Sequence, residues 1–215
     1  KRPIYFTGGS YKDSEYLWMK DFLQLDGLVY KLVPIKTPIN QDNPYQMGRI
    51  EPYRMYDIVK KWEWGNSESS EIYHDPETRK NSISFRGNLH RLAESFVSIG
   101  ENVKAKEIMD LSFEKMPLEY FEYYSLSEPY ISTYHKIGEK DKAQKLYSDI
   151  EKKYLDQIKY YSNSLENYPD FFSISDYAEN IFTYTERYRG LIENEIFEGN
   201  YIFASKSIEN FLNYT

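Results

Sequence analysis

Ile99-Gly100-Glu101-Asn102-Val103-Lys104-Ala105 and Ile137-Gly138-Glu139-Lys140-Asp141-Lys142-Ala143 are two copies of one pattern, offset by 38 residues and identical at five of seven positions. A run with helical periodicity precedes each copy and a second run follows it. Glycine suits a turn between two helices because it takes positive φ without a Cβ clash. Ala93 and Ala105 flank Gly100, and small side chains let antiparallel helices approach there. Pro117 stands twelve residues after Ala105, where the second helix must stop. A weaker third copy closes the chain: Gly199 and Ala204 keep the five-residue separation, and Ile208 and Phe211 continue a helix face. The pattern predicts helical hairpins at about 86–117, 124–158 and 174–213. The second hairpin ends in a helix that runs on through Tyr160-Tyr161. The third opens with a helix, from about Ser173 to Phe197, longer than a regular repeat allows.

Leu89, Leu92, Ala93, Phe96, Gly100, Ala105 and Pro117 stand in an arrangement that resembles the tetratricopeptide repeat. The second copy supplies Tyr130, Ile131, Tyr134, Gly138, Ala143 and Tyr147. It departs from the pattern, because Ile131 replaces a small residue and no proline ends the unit. The expected fold class is therefore mainly α: tetratricopeptide-like helical hairpin repeats over residues 81–215, stabilised by stacking on one another. A small N-terminal strand-helix-strand segment (α+β), residues 1–80 with a long loop, caps one end.

Within that cap, Ile4-Tyr5-Phe6-Thr7 reads as a strand stopped by Gly8-Gly9. Ser14 caps a helix carrying Leu17, Trp18, Phe22 and Leu23, and Gly27 ends it. Leu28 to Val33 reads as a second strand before Pro34, so the unit predicts a parallel pair with a crossover helix. Pro38, Pro44, Gly48 and Pro52 mark a loop. A short helix from Tyr53 to Trp62 follows, with Met55, Ile58, Val59 and Trp62 at helical spacing. Gly65 to Ser70 is a polar turn. His74-Asp75-Pro76 is another turn, and a helix can begin at Pro76.

Composition excludes several classes. Of 215 residues, 40% are hydrophobic and 18% aromatic, too many for a disordered chain. No run approaches the ~18 apolar residues of a membrane span. Lys and Arg number 27 against 34 Asp and Glu, a net charge of -7. Nucleic-acid binding calls for a basic surface and is not expected. With no cysteine, disulfides, thiolate–zinc sites and a cysteine nucleophile are excluded. The chain opens Lys1-Arg2-Pro3, without Met and without a signal-peptide apolar run, which reads either as a trimmed leader or as a piece cut from a longer protein.

Catalytic constellations are thin. His74, His90 and His135 lack metal-site spacing. Gly8-Gly9-Ser10 is a faint phosphate-cradling turn that a strand-to-helix turn explains better. Glu193, Glu195 and Glu198 cluster before Gly199, and Asp170 follows Pro169, but an acidic chain supplies such carboxylates by chance. No catalytic residue, metal or cofactor is assigned. The 23 tyrosines serve both core packing and contact surfaces. The groove of the repeat array offers His90 and Glu94 from the first unit and Glu128, Ser132 and His135 from the second. This set lacks the basic clamp that grips a peptide carboxylate, and it favours a basic or tyrosine-accessible partner, or another domain of the same protein.

Five motifs in order carry a further resemblance: Lys1 to Phe6, Leu23 to Pro34, Met55-Tyr56-Asp57, Trp64-Gly65-Asn66 and Asn88-Leu89-His90-Arg91-Leu92-Ala93. Together they resemble the C-terminal tail of a multi-span membrane protein family common in Bacteroidetes and related to the eukaryotic protein O-mannosyltransferases. The likeness covers most of residues 1–150. It implies an extracytoplasmic, periplasmic-face tail beside a membrane glycosyltransferase-like domain, with the catalytic carboxylates in that membrane portion and none in this segment. The tail would position acceptor protein or partner subunits, touching the membrane only through the parent segments. The alternative is a free-standing tetratricopeptide adaptor holding a peptide or protein in its inner groove. A carbohydrate-active enzyme using a carboxylate pair is a third reading that only composition supports.

Overall fold

The structure, a computed structural model, describes residues 2–7, 17–37 and 47–214. It is mainly helical, with a small sheet at the N-terminal end. The chain forms two compact units, Lys1–Glu122 and Tyr123–Thr215. The sheet and the first helical hairpin thus share one unit, whereas the sequence pattern put a divide at residue 80. Between the units the chain passes through Glu122 and Tyr123, both at positive φ (56° and 50°).

In the first unit the strands are β1 (Tyr5–Thr7), β2 (Leu23–Asp26), β3 (Val29–Leu32) and β4 (Arg49–Ile50). Their order is β1-β3-β2-β4. This corrects the expected parallel pair: β1 runs antiparallel to β3, with Phe6 opposite Tyr30. Leu23 to Asp26 is also no helix end but a central strand, buried at every position and flanked by β3 and β4. A short apolar run with no polar face fits a buried strand and a buried helix equally well. Gly27, at φ 73°, opens a two-residue turn joining β2 to β3, where positive φ matches the strand twist. The chain reverses there, and no crossover is required. Leu17–Phe22 is a 3-10 turn with Trp18 exposed. Gly8-Gly9-Ser10 and Ser14 lie outside the described residues.

Three helices complete the frame of this unit. α1 is Pro52–Val59, with Glu51 accepting the Arg54 N–H as N-cap. α2 is Pro76–Ser98, capped by Asp75, whose carboxylate accepts from the N–H groups of Glu77 and Thr78. α3 is Asn102–Lys115. A one-turn helix, α4 (Leu118–Phe121), follows Pro117. Leu89, Leu92, Ala93 and Phe96 of α2 and Ala105, Ile108 and Met109 of α3 are buried without remainder. α1 lies across this hairpin. Tyr53 and Tyr56 meet Phe96 edge to face at 5.7 Å, and the Tyr56 hydroxyl donates to Glu107 at 2.6 Å.

The second unit holds α5 (Glu128–Lys136), α6 (Lys140–Asn167), α7 (Ile174–Phe197) and α8 (Tyr201–Tyr214). The expected run of α6 past Tyr160-Tyr161 and the long α7 are both present. A capping box of Ser173 and Asp176 starts α7. No proline interrupts α6, so it ends only at Asn167.

One turn recurs three times. Gly100, Gly138 and Gly199 sit at φ 80°, 82° and 79°. Each glycine N–H reaches a carbonyl three residues back (Val97, His135, Ile196), and the next N–H reaches five back (Phe96, Tyr134, Glu195). This is the paired bond pattern of a helix C-terminus closed by a left-handed glycine. The alanines five residues on, Ala105, Ala143 and Ala204, are all buried. Gly199 therefore closes a third hairpin with the geometry of the first two.

Candidate functional site

The motifs that carried the family resemblance meet in the first unit. Asn88 and Arg91 are one turn apart on α2 and face the sheet. The Asn88 amide donates to the Gly27 carbonyl at 2.9 Å. The Arg91 guanidinium donates to the Met47 and Gly48 carbonyls at 2.9 and 2.8 Å, and burial pulls its pKa below the usual guanidinium value. Arg54 of α1 holds the buried Asp26 at 3.0 Å, and the Gln24 amide donates to the other oxygen of the same carboxylate at 2.8 Å. Trp62, Trp64 and Phe85 form a ring cluster with centroids 5.2 to 5.6 Å apart, and Trp62 lies against Gly27. Asn88 and Arg91 join sheet to hairpin by satisfying loop and turn carbonyls that the sheet leaves open.

The groove residues predicted from sequence divide between the units. In the first, His90 is almost buried on α2, with Nδ1 3.6 Å from Glu94, whose side chain is open to solvent. In the second, Ser132 is half-buried on α5, while Glu128 and His135 are engaged internally. The Tyr154 hydroxyl donates to Glu128 in a short hydrogen bond, and Arg187 stands 3.7 Å away. Burial raises the Glu128 carboxyl pKa despite both partners. Burial and that carboxylate together push Tyr154 far above the usual phenol range. His135, its side chain 4% exposed, lies 3.1 Å from the fully buried Glu195, which also accepts from Asn200 at 2.8 Å. Glu94 is thus the predicted groove carboxylate that stands open. Glu195 belongs to a buried hydrogen-bonded cluster and not to an acid pair with Glu193, which Arg189 engages.

An open cavity of about 390 Å³ lies elsewhere in the first unit, lined by Ser70 to His74 and by Tyr120. The His74 ring stacks on Tyr120 at 5.9 Å and tilts against Phe121 at 4.6 Å. Neither imidazole nitrogen has a hydrogen-bond partner among the described residues. Tyr73 is exposed beside it. Sequence reasoning marked His74-Asp75-Pro76 only as a turn. The signal for a cavity was the aromatic pair around it, Tyr73 and Tyr120, which are brought together by α4 after Pro117. Its lining of phenols, imidazole, one hydroxyl and one carboxylate suits contact with a polar partner and contains no positioned nucleophile–base pair. Among the described residues, no group of His, Asp or Glu side chains is arranged to hold a metal ion.

Among the described residues the fold is mainly helical, with three glycine-closed hairpins and an N-terminal sheet. The model of the family described as TMEM260-associated domain 2 matches residues 1–54. This segment, which contains the sheet and the start of α1, is similar to a domain associated with a membrane-protein family. No curated protein and no solved structure matches the chain. Among the described residues, no helix is long and apolar enough to cross a membrane.

Proposed function

We propose that this chain is the non-catalytic, extracytoplasmic interaction domain of a membrane glycosyltransferase-like protein, and that its hairpins position an acceptor protein or partner subunit. The observation that carries this reading is the junction of sheet and α2. The segment similar to the TMEM260-associated domain is fastened by Asn88 and Arg91 to a hairpin of repeat type. Such hairpins present side chains along a continuous surface, and Glu94 stands open on this one.

Side of the membrane is tested first. Val103 is 81% exposed and the chain has no cysteine. A Val103→Cys chain, expressed in a parent protein cleared of other cysteines, should react with a membrane-impermeant maleimide added outside intact cells. Labelling only after lysis would overturn the extracytoplasmic reading. Partner contact is tested by photocrosslinking from position 94 in the full-length protein. Crosslinks to an acceptor, a partner subunit or the parent's own membrane domain support the scaffold. Their absence refutes it. A parent lacking membrane spans would leave the free-standing adaptor, with a peptide ligand sought in its place.

A further inference from the structure

The cavity of about 390 Å³ in the first unit is rich in acceptors, and its lining holds no Lys or Arg. Ser70, Glu71, Ile72, Tyr73, His74 and Tyr120 form its wall. The Glu71 carboxylate is exposed and makes no hydrogen bond or ion pair with a described residue. Both nitrogens of His74 are buried in the wall, also without a partner among the described residues. The basic residues that flank the cavity in sequence are already engaged. Arg79 pairs with Glu122 at 3.1 Å, Lys80 with Glu77 at 3.0 Å and Lys115 with Glu68 at 2.7 Å. An uncompensated carboxylate in a chain of net charge -7 draws cations and repels anions.

The rings select the kind of cation. Tyr73 is 83% exposed, so the faces of its ring are free to receive a ligand. Tyr120 is half-buried and braced by His74, whose ring lies 5.9 Å away and nearly parallel. Phe121 in turn meets His74 at 4.6 Å. A phenol face attracts a cation, and more strongly as water is excluded. A guanidinium is flat and weakly hydrated, so it stacks on such a face while its N–H donors stay in plane for a carboxylate. An ammonium is compact and strongly hydrated and gains less from the same wall. Small free ligands are held by pockets that enclose most of their surface. This cavity is open, which suits a side chain carried on a larger partner.

We infer that the cavity is a docking site for an arginine side chain of a partner polypeptide, with Glu71 as its counter-charge and Tyr73 and Tyr120 as its stacking surfaces. Binding here requires neither the membrane setting proposed above nor contact at Glu94. N-Acetyl-arginine amide, titrated into the isotope-labelled 215-residue chain, should shift the amide signals of residues 70–74 and of Tyr120 saturably. The dissociation constant should be about 1 to 10 mM. The citrulline analogue, alike in shape and uncharged, should bind at least ~10-fold more weakly, and acetyl-lysine amide at least ~3-fold more weakly. Glu71→Gln and Tyr73→Leu should each weaken arginine binding about 5- to 10-fold. Both side chains are exposed, so the amide spectrum away from the cavity should stay unchanged. Tyr168→Leu, at another exposed phenol, should leave the affinity as it is. No saturable shift, a citrulline or lysine analogue bound as tightly as arginine, or an affinity indifferent to Glu71→Gln and Tyr73→Leu would each overturn the inference. Saturation of the same signals by methyl glucoside and not by the arginine analogue would overturn it too, and would make the cavity a saccharide site.

Discussion

His135 Nε2 lies 3.1 Å from Oε1 of Glu195, and Glu195 occupies the site that Phe96 and Tyr134 fill in the first two hairpins, four residues before each turn glycine. A carboxylate has replaced a core ring. It persists because His135 and Asn200 reach it, since a buried carboxylate without partners is strongly disfavoured. His135→Ala should then destabilise the chain by about 1 to 3 kcal/mol, the cost of removing one of two partners from a buried polar group. Restoring the apolar pattern with His135→Leu and Glu195→Tyr together should recover most of it. Urea denaturation of both variants decides this, and a loss well below about 1 kcal/mol in His135→Ala would mean the pair is dispensable.

The turn glycines should separate conformational cost from steric cost. Nothing lies within 4 Å of a Cβ built on Gly100, Gly138 or Gly199. Alanine at each should cost about 1 to 2 kcal/mol, the strain of a left-handed L-residue. At Gly27 a Cβ meets Trp62 Cζ2 at 2.9 Å, so Gly27→Ala adds a clash to the same strain. Equal losses at all four positions in thermal melts would contradict this account.

The junction of sheet and α2 predicts a graded series. Asn88→Ala removes one neutral hydrogen bond and should cost about 1 kcal/mol, while Arg91→Ala removes charged donors to two carbonyls and should cost about 1.5 to 3 kcal/mol. Hydrogen exchange should accelerate in β2 and β3 in both, and leave α6 protected. Protection unchanged in the strands would show that the sheet does not depend on α2.

Two carboxylates should give stability opposite slopes against pH. Glu107 is held below the usual carboxylate value, first by the Lys60 ammonium and then by the Tyr56 hydroxyl, which in turn is pushed up to about 12. A lowered folded value contributes stability above the unfolded value and loses it as pH falls through the folded one. The deficit of Glu107→Gln should therefore be present at neutral pH and vanish in acid. Glu128 is raised by burial, so its charged form is penalised in the fold. Glu128→Gln should gain on the native chain as pH climbs from the unfolded carboxylate value through the raised one. Melting temperatures across this range would refute the assignment if the two variants tracked the native curve in parallel.

What sequence could reveal depended on whether the determining interaction was local. The glycine turns were legible because positive φ is written in the residue itself, and the bond pattern closing each turn spans five residues. Helix starts at Asp75 and Ser173 were legible for the same reason. The place of Leu23 to Asp26 was not, because four buried residues have no period to read and their pairing comes from Val29 to Leu32 and from Arg49 and Ile50. His135 looked like a groove residue because its partner stands 60 positions away. The Tyr154 contact of the half-buried Glu128, 26 positions distant, was equally invisible in the sequence. Asn88 and Arg91 were noticed as parts of a motif, but their task of fastening a sheet was visible only once the acceptors were in place.

The unequal lengths of α5 and α6 have a further consequence. α6 spans 28 residues against 9 in α5, and no residue of α6 beyond Ile158 is buried. Its last nine residues extend about 13 Å past that point beside α7, and the Tyr161 ring among them meets Phe172 and Tyr184. That end should open in isolated fluctuations while the Ala143 end opens only with global unfolding. Along this one helix, amide exchange should therefore form a gradient, and proteases should find their first cut near its far tip.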